Sequence, residues 1–171
     1  MKLRVQRSSP LGRQRAAVIE LGERLLPTSG DIDGFVDAVS GHRGRPLRVM
    51  DYPLDPAGPS GLWISTPTAD YIVCAASATP TRRAAIVCHE LAHMLLGHEP
   101  EVGQAEAVQA VAQILAPDVD PSVVSRFLTR HRYEASAERH AEAVATAFVT
   151  AAASRQRVAA TATDRVSERL R

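Results

Sequence analysis

Apolar residues recur at helical spacing over much of the chain. They fall three or four residues apart between residues 12 and 26 and again after Asp31, which is the period of an amphipathic helix. Asp31 suits the N-cap of the second helix, and Gly41 its end. Residues 101–130 are largely helical in pattern as well, with a break at Pro117.

The pattern changes after Arg45 to short runs rich in β-branched and aromatic residues. Residues 46–52, 62–65 and 71–75 are predicted to be strands, with a turn at 55–59. Residues 66–70 contain the proline and polar residues of a hairpin loop between the last two strands. We therefore expect a small three-stranded antiparallel sheet, and an edge of that sheet could hold an extended peptide by strand addition.

A helix that is apolar on nearly all sides follows the sheet. Thr79 is predicted to be its N-cap, Pro80 its first residue and Gly97 its end. A helix without a polar face is buried, so this one should lie in the core, against the sheet. Its apolar residues are Ala85, Ile86, Cys88, Ala92, Met94, Leu95 and Leu96.

The last helical pattern, at 132–148, carries glutamates at every fourth position. Glu134, Glu138 and Glu142 therefore share one face, which in most helices is solvated. Here neighbouring positions are apolar, so part of the row is expected to point inward. Those apolar neighbours are Ala141, Ala145 and Phe148.

Length and charge narrow the function classes. A chain of 171 residues is predicted to be one domain, with a loose basic arm at 1–11 and a frayed helical or disordered tail from Arg155. The net charge of +1 requires neither nucleic acid nor an anionic membrane as a partner. Cys74 and Cys88 show neither disulfide nor metal-ribbon spacing, and no run of residues is apolar enough for a signal peptide or membrane span. We predict a cytoplasmic protein.

Candidate chemistry lies in the buried helix, as the sequence H-E-x-x-H. His89 and His93 are four residues apart and lie on one face, where both can bind one metal ion. Two core histidines with other partners are the simpler alternative, but a buried polar pair needs partners and a metal supplies them. Glu90 is rotated by about 100° from His89, which favours a general-base role over metal binding.

A third protein ligand is needed, and the glutamate row is its best source. The spacing alone leaves Glu138 and Glu142 both open. His98, five residues after His93, is interpreted as a cap or packing residue, with metal binding as the alternative.

The chain resembles the ImmA/IrrE family of intracellular metallopeptidases. The resemblance rests on residues 89–98, on the upstream segments 44–47, 61–64 and 70–73, and on the downstream segment 138–145. It implies a gluzincin-type, zincin-like α+β fold. It also implies a zinc-dependent endopeptidase with His89, His93 and Glu138 as zinc ligands, whose substrate is a DNA-binding repressor of the helix-turn-helix class.

In this interpretation Glu90 takes a proton from the attacking water and passes it to the leaving amine. Glu142 is the expected partner of a ligand-histidine nitrogen, and Tyr133 or a histidine such as His98 could stabilise the oxyanion. Two rivals stay open. One is a metal-dependent regulatory module that binds a partner without cutting it, and the other is the toxin component of a paired system.

Overall fold

Four helices and three strands make up the described part of this computed structural model, which covers residues 9–54, 57, 60–65, 68–98 and 135–169, with side chains to 163. The fold is α+β, as predicted. Most of the predicted turn at 55–59 and the whole helical pattern at 101–130 lie outside the described residues. In chain order the elements are α1 (Pro10–Leu25), α2 (Ile32–Arg43), β1 (Leu47–Tyr52), β2 (Gly61–Ser65), β3 (Asp70–Ala75), α3 (Pro80–Leu96) and α4 (Ala135–Arg169).

Side-chain caps and left-handed glycines determine where the helices begin and end. The Asp31 side chain accepts hydrogen bonds from two backbone N–H groups of α2, and Thr79 caps α3 in the same way through the N–H of Arg82. The sequence predicts that α2 ends near Gly41, and the observed end is two residues later. The helix continues to Arg43 and ends at Gly44, whose φ of 63° is the left-handed conformation that terminates helices.

The sheet is mixed, so the predicted antiparallel sheet is only half right. Its order is β1-β3-β2, with β2 antiparallel to β3 as expected for a hairpin but β1 parallel to β3. Five of the six β3 residues are buried, whereas β1 is more exposed. The apolar β3 therefore takes the central position, with β1 and β2 at the two edges. The chain after β1 must cross to the opposite edge of the sheet to form β2 before it returns as β3. In this arrangement β1 and β3 run in the same direction.

One face of the sheet packs against α3, and α4 covers α3 from the other side. Phe148 of α4 packs edge-on against Phe35 of α2, with ring centroids 5.2 Å apart. It also lies directly over Gly22 of α1, where a Cβ atom would be 2.1 Å from the Phe148 ring. These contacts hold α4 in a defined position across α3.

The C-terminal helix extends well beyond the helical pattern predicted at 132–148. Residues from Arg155 onward continue α4 as helix to Arg169. Within the described ranges we find no helix that combines the length and the hydrophobicity needed to cross a membrane.

Candidate metal centre

The α3 register brings two imidazole nitrogens together. His89 and His93 lie one turn apart, and their Nε2 atoms are separated by 3.1 Å. The His93 side chain is fully buried, whereas His89 is 29% exposed. The pair therefore has one ring in the core and one at the surface of a cleft, as a site open to an external molecule requires.

Glu138 reaches this pair from α4. Its carboxylate oxygens lie 3.5 Å from His89 Nε2 and 3.6 Å from His93 Nε2. Ligands on a tetrahedral zinc ion, at bond lengths of about 2.0 Å, are about 3.3 Å apart. The three side chains already have nearly this spacing, with candidate ligand atoms all within 4.8 Å of one another. The group could hold one metal ion.

Burial keeps the inner histidine in the form that binds metals. Desolvation, with smaller contributions from His89 and His98, lowers the pKa of His93 to about 3. The ring is therefore neutral at physiological pH, with a nitrogen lone pair available. Burial and the nearby charge of Glu142 raise the pKa of Glu138, an effect that a bound cation would oppose.

Glu90 lies beside this group without belonging to it. The residue is only 5% exposed, yet it lines a cavity of about 510 Å³ together with His89 and Glu138. Its position one residue after His89 rotates it by about 100° from that histidine around the helix axis, and it is not one of the three candidate ligands. A molecule in this cavity would meet Glu90 together with two of the candidate ligands, His89 and Glu138.

His98 lies behind His93. The Nδ1 atoms of the two rings are 3.0 Å apart, and the His98 backbone N–H donates to the His93 carbonyl over 3.0 Å. Gly97, with φ 73°, makes the turn that brings His98 back over the helix end. The candidate ligand atom of His93 is Nε2, on the other side of the ring, so His98 contacts the nitrogen that faces away from the site.

Of the further residues predicted for the site, the structure describes Glu142 alone. Glu142 is exposed and lines a second cavity of about 430 Å³, which also contains His89. Within the described residues its carboxylate forms no ion pair with a histidine, so its supporting role stays a prediction. Tyr133 lies outside the described residues, as does Glu134.

Neither thiol belongs to the candidate metal group. Cys74 and Cys88 are buried, and desolvation raises the pKa of the first to about 11 and of the second to about 12. Both therefore remain protonated and act as small apolar core residues, in agreement with their spacing in the sequence.

Three cavity residues had not been singled out from the sequence. Ser60 and Gly61 line the cavity from the start of β2, and Arg82 lines it from the first turn of α3. Arg82 could have been found, because it precedes His89 by seven residues and so shares its helix face. No sequence signal places β2 here, since that depends on how the sheet packs on α3.

We compared the chain with protein-family models, curated proteins and solved structures, and found no match in any of the three. The resemblance to the ImmA/IrrE family therefore stays a prediction.

Proposed function

We propose that this protein is a zinc-dependent endopeptidase with a zincin-like fold that cuts a partner protein. One observation carries the proposal. The candidate ligands His89, His93 and Glu138 form one group, and two of them, His89 and Glu138, line a cavity together with the buried Glu90. A purely structural metal site has no need of an accessible cavity or of an additional carboxylate beside it.

Zinc is the metal that suits this donor set best. Two imidazoles and one carboxylate, with a further position left for an external ligand, are the usual ligands of catalytic zinc, whereas calcium and magnesium prefer oxygen ligands alone. A zinc ion held there would polarise a peptide carbonyl and lower the pKa of water at the site.

Glu90 is assigned the proton transfers. Its carboxylate accepts a proton from the attacking water and returns it to the amine of the leaving segment, without a covalent intermediate on the protein. Its burial beside the histidines supports this role, because a site shielded from bulk water limits the loss of the transferred proton to solvent.

The open edge of β2 supports a peptide substrate. The Ala75 N–H donates to the Ser60 carbonyl over 2.9 Å, so that pair is bonded across β2 and β3. Along an antiparallel ladder, opposed residues alternate between hydrogen-bonded and non-hydrogen-bonded pairs. Gly61 and Trp63 are at non-hydrogen-bonded positions, so their backbone N–H and C=O groups point away from β3. Among the described residues no strand pairs with that side of β2. An extended chain could pair there and pass the candidate metal site.

The resemblance named above supplies the substrate class. We propose that the substrate is a helix-turn-helix transcription regulator in the cytoplasm, cut in an exposed segment and so deprived of DNA binding. The protein needs no DNA contact or membrane contact of its own in this account.

Co-expression with the regulator encoded beside this gene tests the proposal. The regulator's mass should show a cut with the wild-type protein and no cut with Glu90→Gln, which keeps its zinc but is slower by about two to four orders of magnitude. Chelation should also stop the cut. If the regulator stays intact while both proteins change its DNA binding equally, a binding module replaces the peptidase. Growth arrest without the regulator, equal for both proteins, would favour a toxin component.

A further inference from the structure

The two cavities of the candidate site share part of their lining, and we refer to them together as the two halves of one cleft. Both contain Ala85 and His89, which lie one turn apart on the exposed face of α3. Ala85 is exposed and lines both halves, and its side chain is only a methyl group. It therefore presents little obstruction to a chain that extends from one half into the other. A chain lying along the cleft therefore crosses the candidate metal site from one half into the other.

The half beside β2 contains an arginine that forms no ion pair among the described residues. Arg82 is exposed, lines this half and forms no ion pair within the described part of the chain. Its neighbour Arg83 differs, because it pairs with Asp51 at 3.0 Å and Asp33 at 3.6 Å. The first turn of α3 has no acidic residue, so nothing there offsets the positive end of the helix.

The rest of the lining does not neutralise Arg82. The other charged groups of this half are the carboxylates of Glu90 and Glu138, which a divalent cation at the site would balance. With those carboxylates balanced, the positive charge of Arg82 is available to bind an anionic group of a ligand. The described lining of the other half contains no lysine or arginine, and its one carboxylate belongs to Glu142.

We propose that the cleft selects a peptide with a carboxylate about three residues from the bond to be cut, and that Arg82 binds this carboxylate. The inference rests on the proposed function and specifies its substrate. Seven helical residues separate Arg82 from His89, a rise of about 10 Å with both side chains on nearly the same face. Three residues of an extended peptide span the same distance, about 10 Å. A guanidinium is well suited to this ligand, because it can donate two parallel hydrogen bonds to one carboxylate.

Peptide hydroxamates test the inference by binding, since the hydroxamate chelates zinc and so sets the register. The first pair of peptides carries the hydroxamate at the carboxyl end. The two peptides differ only at the third residue from the hydroxamate, which is Glu in one and Gln in the other. A second pair has the hydroxamate at the amino end, and each series also includes a Lys peptide. Dissociation constants are measured on the zinc-loaded protein by competition with a fluorescent hydroxamate.

We expect the Glu peptide of one series to bind about fivefold more tightly than its Gln counterpart, which is the upper range for an exposed ion pair. The Arg82→Gln variant should bind the Glu and Gln peptides equally. It should bind the Gln peptide as tightly as the wild type does, which would show that the rest of its site is intact. Arg82→Glu should prefer the Lys peptide. The control Arg48→Gln removes the same charge from the exposed surface of β1 and should keep the Glu preference. High salt should weaken the preference.

Equal binding of Glu and Gln peptides in both series, or a Glu preference that survives Arg82→Gln, would overturn the inference. The result is separable from the proposed function. Charge-selective binding with no cut in the regulator rejects the peptidase and retains the Arg82 subsite, whereas a cut without charge selection rejects the subsite alone. Failure to bind both zinc and hydroxamates rejects the two together.

Discussion

His93 is held at both nitrogens of its ring. Nε2 faces His89 and Glu138, and Nδ1 meets the Nδ1 of His98 at 3.0 Å. A neutral imidazole that binds a metal through Nε2 carries its proton on Nδ1, where it must donate to an acceptor. His98 supplies that acceptor if its own proton is on Nε2. We therefore expect His98 to act on the candidate site through the orientation of His93.

Substitutions of His98 test this positioning role. In His98→Asn the amide oxygen takes the place of Nδ1 and can still accept, so zinc affinity should stay within a few-fold of the wild type. His98→Leu leaves the His93 N–H without its partner and should weaken zinc binding by about 10- to 100-fold. Competition with a chromophoric chelator measures both constants. Equal losses in the two variants would mean that His98 only fills space.

The third ligand can be assigned in the same assay. Glu138→Ala removes one of three protein ligands and should lower zinc affinity sharply, whereas Glu142→Ala, one turn along the same helix, should have a smaller effect. The comparison is well matched, because both substitutions remove one carboxylate from α4. The reverse ranking would move the ligand to Glu142.

Part of the site could be predicted from the sequence because it is local. Four-residue spacing on one helix is enough to place His89 beside His93, and the same geometry turns Glu90 aside. Glu138 was one choice in a row of glutamates, since only the packing of α4 on α3 decides which turn meets the histidines. The contact between His98 and His93 depends on the left-handed turn at Gly97, which the five-residue spacing alone did not reveal.

At the level of elements, one buried carboxylate connects α2, β3 and the loop before β1. Asp70 is 1% exposed and forms ion pairs with Arg43 at 2.9 Å and Arg45 at 3.0 Å. Arg43 also donates to the Met94 carbonyl near the end of α3 and lies over the Trp63 ring. The network therefore ties the sheet to the helix that carries the candidate ligands.

Asp70→Asn should cost about 3 kcal/mol in the free energy of unfolding at pH 7, because it leaves two guanidinium groups without their counter-charge. Desolvation raises the pKa of Asp70, but hydrogen bonds from Ser65, Arg45 and Arg43 outweigh it, and the net pKa is below the ordinary 3.8. The stabilisation is therefore complete above about pH 4 and is lost as the pH falls through the folded-state pKa.

Denaturant titrations at several pH values measure this effect. The gap between wild type and Asp70→Asn should close in acid. Asp33→Asn is the control, since Asp33 is 78% exposed and pairs with Arg83 at 3.6 Å, and its cost should be under about 1 kcal/mol. A gap of the same size at pH 7 and pH 3 would refute the electrostatic explanation.

Gly61 sets how closely β2 approaches α3. A Cβ atom at this position would lie 2.1 Å from Ile86 Cγ2. Gly61→Ala should therefore destabilise the fold by about 1–3 kcal/mol through overpacking. In the double variant with Ile86→Ala the steric part of the cost should disappear, so the two effects should not add. Additive costs in denaturant unfolding would show that the close contact is not the cause.

The elements themselves were readable from the sequence, but their arrangement was not in every case. Caps such as Thr79 and Asp31 act within a few residues, and so the starts of α2 and α3 were correct. The parallel pairing of β1 with β3 was missed, because strand order follows from which strand buries both faces. That property emerges only when the helices are packed against the sheet.

At the scale of the molecule, α4 joins distant parts of the chain into one site. Arg155 donates to the carbonyls of Glu23, Leu26 and Pro27 at the end of α1, and Gln156 donates to the Gly30 carbonyl over 2.9 Å. These bonds help to set the position of the helix whose first turns carry Glu138. The third candidate ligand is thus placed by contacts at the other end of its own helix.

X-ray absorption at the zinc K-edge, on protein loaded with one equivalent of zinc, tests the central claim most directly. The account predicts two imidazole nitrogens, one carboxylate oxygen and one further light atom at about 2.0 Å, with no sulfur. His93→Ala should lose one imidazole from this pattern or fail to hold the ion. A spectrum with sulfur ligands, or one unchanged in both His89→Ala and His93→Ala, would contradict a metal centre built from these side chains.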